Sequence, residues 1–121
     1  MTFPDIDMPG IDIVIPDISY LEKNQSKIRG IVLTHGHEDH IGAIPYVLKK
    51  MSIPIYGTRL TLGLLTNKLK EHRLNPTMVE VTPGKKFNLG CFGIDFIRAS
   101  HSMPDAASIA IDTPRGTVLF T

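Results

Sequence analysis

Residues 31–41 read Ile-Val-Leu-Thr-His-Gly-His-Glu-Asp-His-Ile. The β-branched beginning of this stretch is typical of a buried strand, and the end leads into an apolar pattern of helical period. Between them lies the order H-x-H-x-D-H. In extended backbone, His35 and His37 can approach one divalent ion, while Asp39 and His40, at the start of the helix, can reach a second. The stretch therefore predicts a metal-binding turn between a strand and a helix.

A polar, solvated loop is the alternative interpretation of these histidines. The metal site is favoured because zinc prefers nitrogen and oxygen ligands, and because ligand type, spacing and the strand-to-helix context agree. The pattern leaves Glu38 without a ligand role. We expect it at the surface or beside a ligand.

Two further histidines stand outside the motif. His101 follows a strand-like run, 92–99, and can face the same rim, where a third imidazole would complete a three-histidine site with an open position. His72 lies at the end of a charged helical segment. It is expected to be an exposed histidine, or a favourable cation at a helix C-terminus, without a part in the site.

The first half of the chain alternates between strand and helix patterns. A short helix is predicted at 19–25, strands at 27–34 and 53–56, and amphipathic helices at 41–51 and 58–72. In the second of these helices, the residues expected to face inward are Leu60, Leu64, Leu65 and Leu69. From Met78 onward, turns separate short runs that predict an antiparallel meander: 78–81, 86–89, 92–99, 108–112 and 117–120.

The composition limits the class of protein. The 121 residues carry a formal net charge of +1, so any nucleic-acid binding has to come from a local site. The single cysteine, Cys91, excludes an internal disulfide, fits a reducing compartment, and is expected in the core. No stretch approaches the roughly 20 apolar residues of a membrane span, and the N-terminus does not resemble a signal peptide. These features predict a cytoplasmic protein without a membrane segment.

The sequence T-H-G-H-E-D-H-I-G-A-I-P-Y at 34–46 resembles the metallo-β-lactamase superfamily. The flanking segments F-P-D-I-D-M-P-G-I-D-I-V-I-P-D at 3–17, P-I-Y-G-T-R-L-T-L-G-L at 54–64 and H-S-M-P-D at 101–105 are similar to the ribonuclease J family of the β-CASP group. This resemblance implies an α+β fold, the αββα sandwich of the superfamily. It also implies a two-zinc site at which a metal-bound hydroxide attacks an RNA phosphodiester, in both endo and 5′-to-3′ exo modes.

The resemblance assigns roles to five residues. It implies that His35, His37 and His101 hold a first zinc ion, and that Asp39 and His40 serve a second. Asp39 and His40 are the expected catalytic residues, with Asp39 orienting the attacking water. Manganese is an alternative metal.

The same resemblance predicts that residues 1–121 are one partial metallo-β-lactamase domain, truncated at both ends. The family's first strands, its bridging aspartate, a late histidine, the β-CASP domain and the C-terminal domain would lie outside the sequence. Partial zinc occupancy is therefore expected. Association into a homo-oligomer is also expected, through the runs 11–15 and 117–120.

Three functions follow as hypotheses. The first is a zinc-dependent ribonuclease in the intact parent, with RNA as substrate. The second keeps the fold but acts on a thioester, lactam or lactone. The third is a catalytically silent metal-binding fragment.

Overall fold

The structure, a computed structural model, describes residues 18–98 and 107–120, without the side chain of Asp39. The expected strand at 11–15 lies outside these residues. A single turn of 3-10 helix, Gln25–Lys27, follows the first helix. The other elements are, in chain order, α1 (Ser19–Lys23), β1 (Ile31–Val32), α2 (Glu38–Ile41), α3 (Ile44–Leu48), β2 (Ile55–Gly57), α4 (Arg59–Glu71), β3 (Met78–Glu80), β4 (Phe87–Leu89), β5 (Phe92–Arg98), β6 (Ala107–Thr113) and β7 (Gly116–Phe120).

The described strands form two sheets. The first is parallel, in the order β1-β2-β3, with Ile31 beside Ile55 and Ile55 beside Met78. The second is an antiparallel meander in the order β4-β5-β6-β7. The meander confirms the prediction for the last four runs. The prediction for 78–81 is wrong, because α4 is a crossover that returns β3 to the parallel sheet.

The alternation of side chains along the strands explains how the layers stack. Ile31 and Ile55 face a cluster that contains residues of α2, α3 and α4. Their neighbours Val32 and Tyr56 face the opposite way, onto a cluster centred on Phe96 in the second sheet. Because successive side chains of a strand point to opposite faces, the parallel sheet lies between helices and the antiparallel sheet. The fold is therefore α+β, as expected.

The helical pattern after the motif is divided into two short helices. α2 ends at Ile41, and the chain begins a new helix, α3, in which Pro45 occupies the first turn. Proline has no N–H to donate and is tolerated only at such a position. The predicted helix at 41–51 is therefore interrupted. Its apolar residues Ile41, Ile44 and Met51 are nevertheless buried.

The α4 helix agrees with its predicted bounds but differs in phase. It runs from Arg59 to Glu71, with Thr58 before it and His72 after it. Leu65 and Leu69 are buried, as expected, and Leu64 is partly buried. Leu60, expected inside, is 39% exposed, and Leu62 is buried in its place. Because each residue turns the helix by about 100°, position 62 lies closer to the face of 65 and 69.

The prediction that Cys91 lies in the core is wrong. Cys91 is exposed, because with Gly90 it forms the connection between β4 and β5, where Leu89 pairs with Phe92. Gly90 has a φ of 61°, which suits glycine at such a tight turn. Over the described parts of the chain, no helix has the length and apolarity needed to cross a membrane.

Candidate metal centre

The motif lies at the carboxyl end of β1. The amide of Leu33 donates to the carbonyl of Tyr56, so the chain remains bound to β2 until two residues before His35. The backbone at His37 is extended, with φ −66° and ψ 148°, and α2 begins directly after it. The carbonyl of His37 then accepts hydrogen bonds from the amides of His40 and Ile41. The strand-to-helix turn predicted from the sequence is therefore present.

Three imidazole rings lie close together at this turn. The ring centroids of His35 and His37 are 4.7 Å apart, and those of His35 and His40 are 4.0 Å apart. His35 is buried at 4% exposure, His37 is half-buried, and His40 is exposed. The cluster therefore runs from the interior to the surface. Imidazole nitrogen is a common protein ligand of zinc, so the donor chemistry fits the expected metal.

The hydroxyl of Thr34 contacts two of these rings. Its Oγ1 lies 3.0 Å from Nδ1 of His35 and 3.5 Å from Nδ1 of His40. No sequence pattern predicted a role for Thr34. The one sequence feature that could have indicated this role is the position of a hydroxyl residue directly before the first histidine. The contact with His40 also depends on the turn of the chain.

Gly36 allows the motif to pack closely on α4. A Cβ atom at this position would lie 2.5 Å from Cδ1 and 3.4 Å from Cβ of Leu64. A methyl group at this position would have to displace the end of the Leu64 side chain, so glycine favours this close approach of the turn to the helix. The turn that carries the histidines therefore packs directly on α4.

An ion pair joins α2 to α4 at the surface. Nζ of Lys68 lies 2.8 Å from Oε1 of Glu38. Glu38 is exposed, so it occupies a surface position, one of the two expected for it. Together with the contact at Gly36, this ion pair holds the motif against one helix.

An open cleft of about 300 Å³ lies beside His40, between the two sheets. One wall comes from β1 and Thr34, and the other from β6 and β7. The residues that line it are Val32, Leu33, Thr34, His40, Ile109, Ile111 and Phe120. The other residues that line the cleft are apolar, so His40 and Thr34 supply its polar side chains.

The structure brings together three of the five predicted site residues. These are His35, His37 and His40; the side chain of Asp39 and all of His101 lie outside the described residues. Among the side chains within 18–98 and 107–120, no group of three or more His, Cys, Asp or Glu has the arrangement to hold one ion. The described side chains thus bring three imidazole rings together without forming a complete ligand set.

His72 is half-buried, so the expectation of an exposed histidine is wrong. It follows the last residue of α4, and its amide donates to the carbonyl of Leu69. Its ring makes an edge contact with Tyr46, at a centroid distance of 5.3 Å.

Curated relatives are similar over nearly the whole chain. The sequence is 45% identical over 120 residues to "Ribonuclease J" of Mycobacterium tuberculosis, covering 98% of this chain and 22% of that protein. It is 45% identical over 130 residues to "Ribonuclease J" of Thermus thermophilus, covering 100% of this chain and 23% of that protein. The chain therefore spans about a fifth of the length of these relatives, and the similarity to the ribonuclease J family is confirmed.

Solved structures share the fold at low sequence identity. A metallo-β-lactamase from Cronobacter sakazakii, a mutant of its HARLDQ motif, matches with a TM-score of 0.70 and 19% identity, over 86% of this chain and 46% of its own. The Zn²⁺-bound PqqB from Methylobacterium extorquens matches with a TM-score of 0.63 and 11% identity, over 76% of this chain and 33% of its own.

A family profile described as the metallo-beta-lactamase superfamily matches residues 5–121. It includes the histidine cluster, both sheets and the α4 helix. The chain therefore belongs to the metallo-β-lactamase superfamily.

Proposed function

We propose that the whole protein is a zinc-dependent ribonuclease that hydrolyses RNA phosphodiesters, in both endo and 5′-to-3′ exo modes. The observation that carries this proposal is the cluster of His35, His37 and His40 at the end of β1. It occurs in a chain that is 45% identical to two ribonuclease J proteins over nearly its whole length. A cytoplasmic location is part of the proposal, because a single cysteine fits a reducing compartment.

In this proposal, His35 and His37 bind one zinc ion together with His101, and Asp39 and His40 bind a second. Manganese is the alternative metal. Zinc, when bound, would lower the pKa of a water molecule and stabilise negative charge on the phosphoryl oxygens. Asp39 would accept a hydrogen bond from the attacking water and so orient it towards phosphorus.

The chain's connectivity supports the inclusion of His101. Arg98 and Ala107 are paired across β5 and β6, and the amide of Ala107 donates to the carbonyl of Thr34. The connection that carries His101 therefore leaves and rejoins the sheet next to the residue before His35. His101 is three residues from Arg98, a span of about 11 Å at most.

RNA is favoured over a thioester, lactam or lactone as the substrate. The relatives at 45% identity carry the name ribonuclease, whereas the metallo-β-lactamase structure is 19% identical and supports the fold alone. The net charge of +1 means that RNA would be bound by a local site rather than by general attraction.

A chimaera tests the proposal. Residues 2–120 of this chain would replace the aligned segment of the Mycobacterium tuberculosis ribonuclease J, and cleavage of a 5′-labelled RNA would be measured. We expect cleavage, a loss of about a thousandfold with His37→Ala or Asp39→Ala, and little change with His72→Ala. Lactam and thioester substrates should not be hydrolysed. RNA cleavage that persists in a folded Asp39→Ala chimaera would contradict the mechanism.

The 121-residue chain itself should be assayed beside the chimaera. If it leaves RNA intact while it binds zinc, the interpretation as a silent metal-binding fragment holds for the chain alone. Cleavage at the rate of the chimaera would refute that interpretation.

We also propose that the chain associates with copies of itself through β7. This strand is at an edge of the described sheet, and its Val118, Leu119 and Phe120 are 47%, 58% and 50% exposed. An exposed apolar edge strand presents unpaired backbone groups and apolar area to a second copy.

A further inference from the structure

We propose that Thr34 is a positioning residue whose hydroxyl selects the nitrogen through which His35 binds a metal. The proposal rests on the metal site proposed above. Its basis is the 3.0 Å distance from Thr34 Oγ1 to Nδ1 of His35, and the 3.5 Å distance from the same oxygen to Nδ1 of His40.

The chemistry of the two groups allows two arrangements, and the proposal requires the first of them. A neutral imidazole has one N–H and one nitrogen lone pair, and a hydroxyl oxygen has one hydrogen and two lone pairs. When Thr34 Oγ1 accepts the N–H of Nδ1, the lone pair of His35 is on Nε2. In the other tautomer, the hydroxyl donates to Nδ1, and Nε2 carries the hydrogen. A metal ion at Nε2 is compatible only with the first arrangement.

A single oxygen can serve both rings. Its second lone pair is available to Nδ1 of His40, although 3.5 Å is the outer limit for a hydrogen bond. His35 and His40 belong to different ions in the proposed site. Thr34 therefore links the orientation of a ligand of the first ion to that of a ligand of the second.

The backbone holds the Thr34 side chain in place. Its carbonyl accepts a 2.8 Å hydrogen bond from the amide of Ala107, and the preceding residue, Leu33, is buried and bonded to Tyr56. The β-branched side chain has few χ1 rotamers. The hydroxyl is thus positioned by both sheets before any ligand arrives, which reduces the ordering cost of metal binding.

The test compares Thr34→Val, which removes the hydroxyl at constant shape, with Thr34→Ser, which keeps it. Zinc affinity of the 121-residue chain would be measured by competition with a chromophoric chelator. Long-range ¹H–¹⁵N spectra of the zinc-free chain would report the tautomer of His35. Thr66→Val is the matched control, because the Thr66 hydroxyl donates to the Leu62 carbonyl within α4.

We expect Thr34→Val to lower zinc affinity about 10- to 100-fold and to shift His35 away from the Nδ1–H tautomer. Thr34→Ser and Thr66→Val should retain both properties. Wild-type affinity and tautomer in Thr34→Val would overturn the proposal. So would an equal loss in a folded Thr34→Ser, because that loss would point to the methyl group rather than the hydroxyl.

The two proposals fail in distinguishable ways. If the unsubstituted chain binds no zinc, the metal site is refuted, and the spectra still decide whether Thr34 sets the tautomer. If Thr34→Val does not fold, the tautomer of His35 in the unsubstituted chain tests the proposal. An Nε2–H tautomer there would refute the role of Thr34.

Discussion

The amide of Ala107 donates a 2.8 Å hydrogen bond to the carbonyl of Thr34, the residue directly before His35. Ala107 begins β6, so this bond joins the antiparallel sheet to the strand that carries the motif. The two sheets also meet through the apolar cluster around Phe96. The position of the histidines therefore depends on the second sheet as well as on α4.

Phe96→Ala should abolish or strongly weaken folding. Phe96 is fully buried in β5, and loss of such a side chain costs about 3–5 kcal/mol, a large part of the stability of a small domain. Chemical denaturation followed by circular dichroism would measure the change. Phe92→Ala, at an exposed position of the same strand, should cost less than about 1 kcal/mol. Equal costs for the two variants would contradict the packing described.

Gly36→Ala should destabilise the chain by about 1 kcal/mol, because the new methyl group would displace the end of the Leu64 side chain. The same substitution at Gly63 in α4 meets no atom within 4 Å and should stabilise by about 0.5–1 kcal/mol. Denaturation midpoints would compare the stabilities of the two variants. The double variant Gly36→Ala, Leu64→Ala should show favourable coupling. Additive costs would refute the close contact.

The double variant His35→Ala, His37→Ala should lose bound zinc, because it removes two of the three imidazoles of the described cluster. Metal analysis by mass spectrometry after dialysis would measure the zinc per chain. His72→Ala should retain zinc, because the ring of His72 contacts Tyr46 rather than the histidine cluster. Unchanged zinc in the double variant would show that the metal is bound elsewhere.

Cys91 should react with a chromogenic disulfide reagent in the folded chain at nearly the rate seen in denaturant. It lies exposed in the turn between β4 and β5, so reaction requires no unfolding. Absorbance of the released thiolate would give both rates. Protection by a large factor in the folded chain would instead support a core position.

Leu119→Lys should shift the chain towards the monomer. Leu119 is 58% exposed on β7, and a lysine on an edge strand opposes pairing with a second copy. Light scattering across a concentration series would measure the mass. Leu60→Lys, at a 39% exposed position of α4, serves as the matched control and should associate like the unsubstituted chain. A constant monomer mass in the unsubstituted chain would contradict self-association.

Sequence patterns alone predicted the features that local chemistry dictates. The bounds of α4, the last four strands of the meander and the strand-to-helix turn around His35 and His37 depend on neighbouring residues, and these features were predicted correctly. The H-x-H-x-D-H order also identified the superfamily, because ligand types and spacing are properties of the chain itself. The metal roles of all five residues, His35, His37, Asp39, His40 and His101, remain predictions.

Tertiary structure decided the features that depend on distant segments. The crossover through α4, rather than the residues of β3, places β3 in the parallel sheet. The phase of α4 against the sheet exposes Leu60. Cys91 is apolar in character, yet the hairpin turn exposes it. The contact of Thr34 with His40 requires the chain to turn back at α2, and the bond to Ala107 requires a second sheet more than 70 residues later. Such contacts between distant segments form only when the layers pack, so no local pattern encodes them.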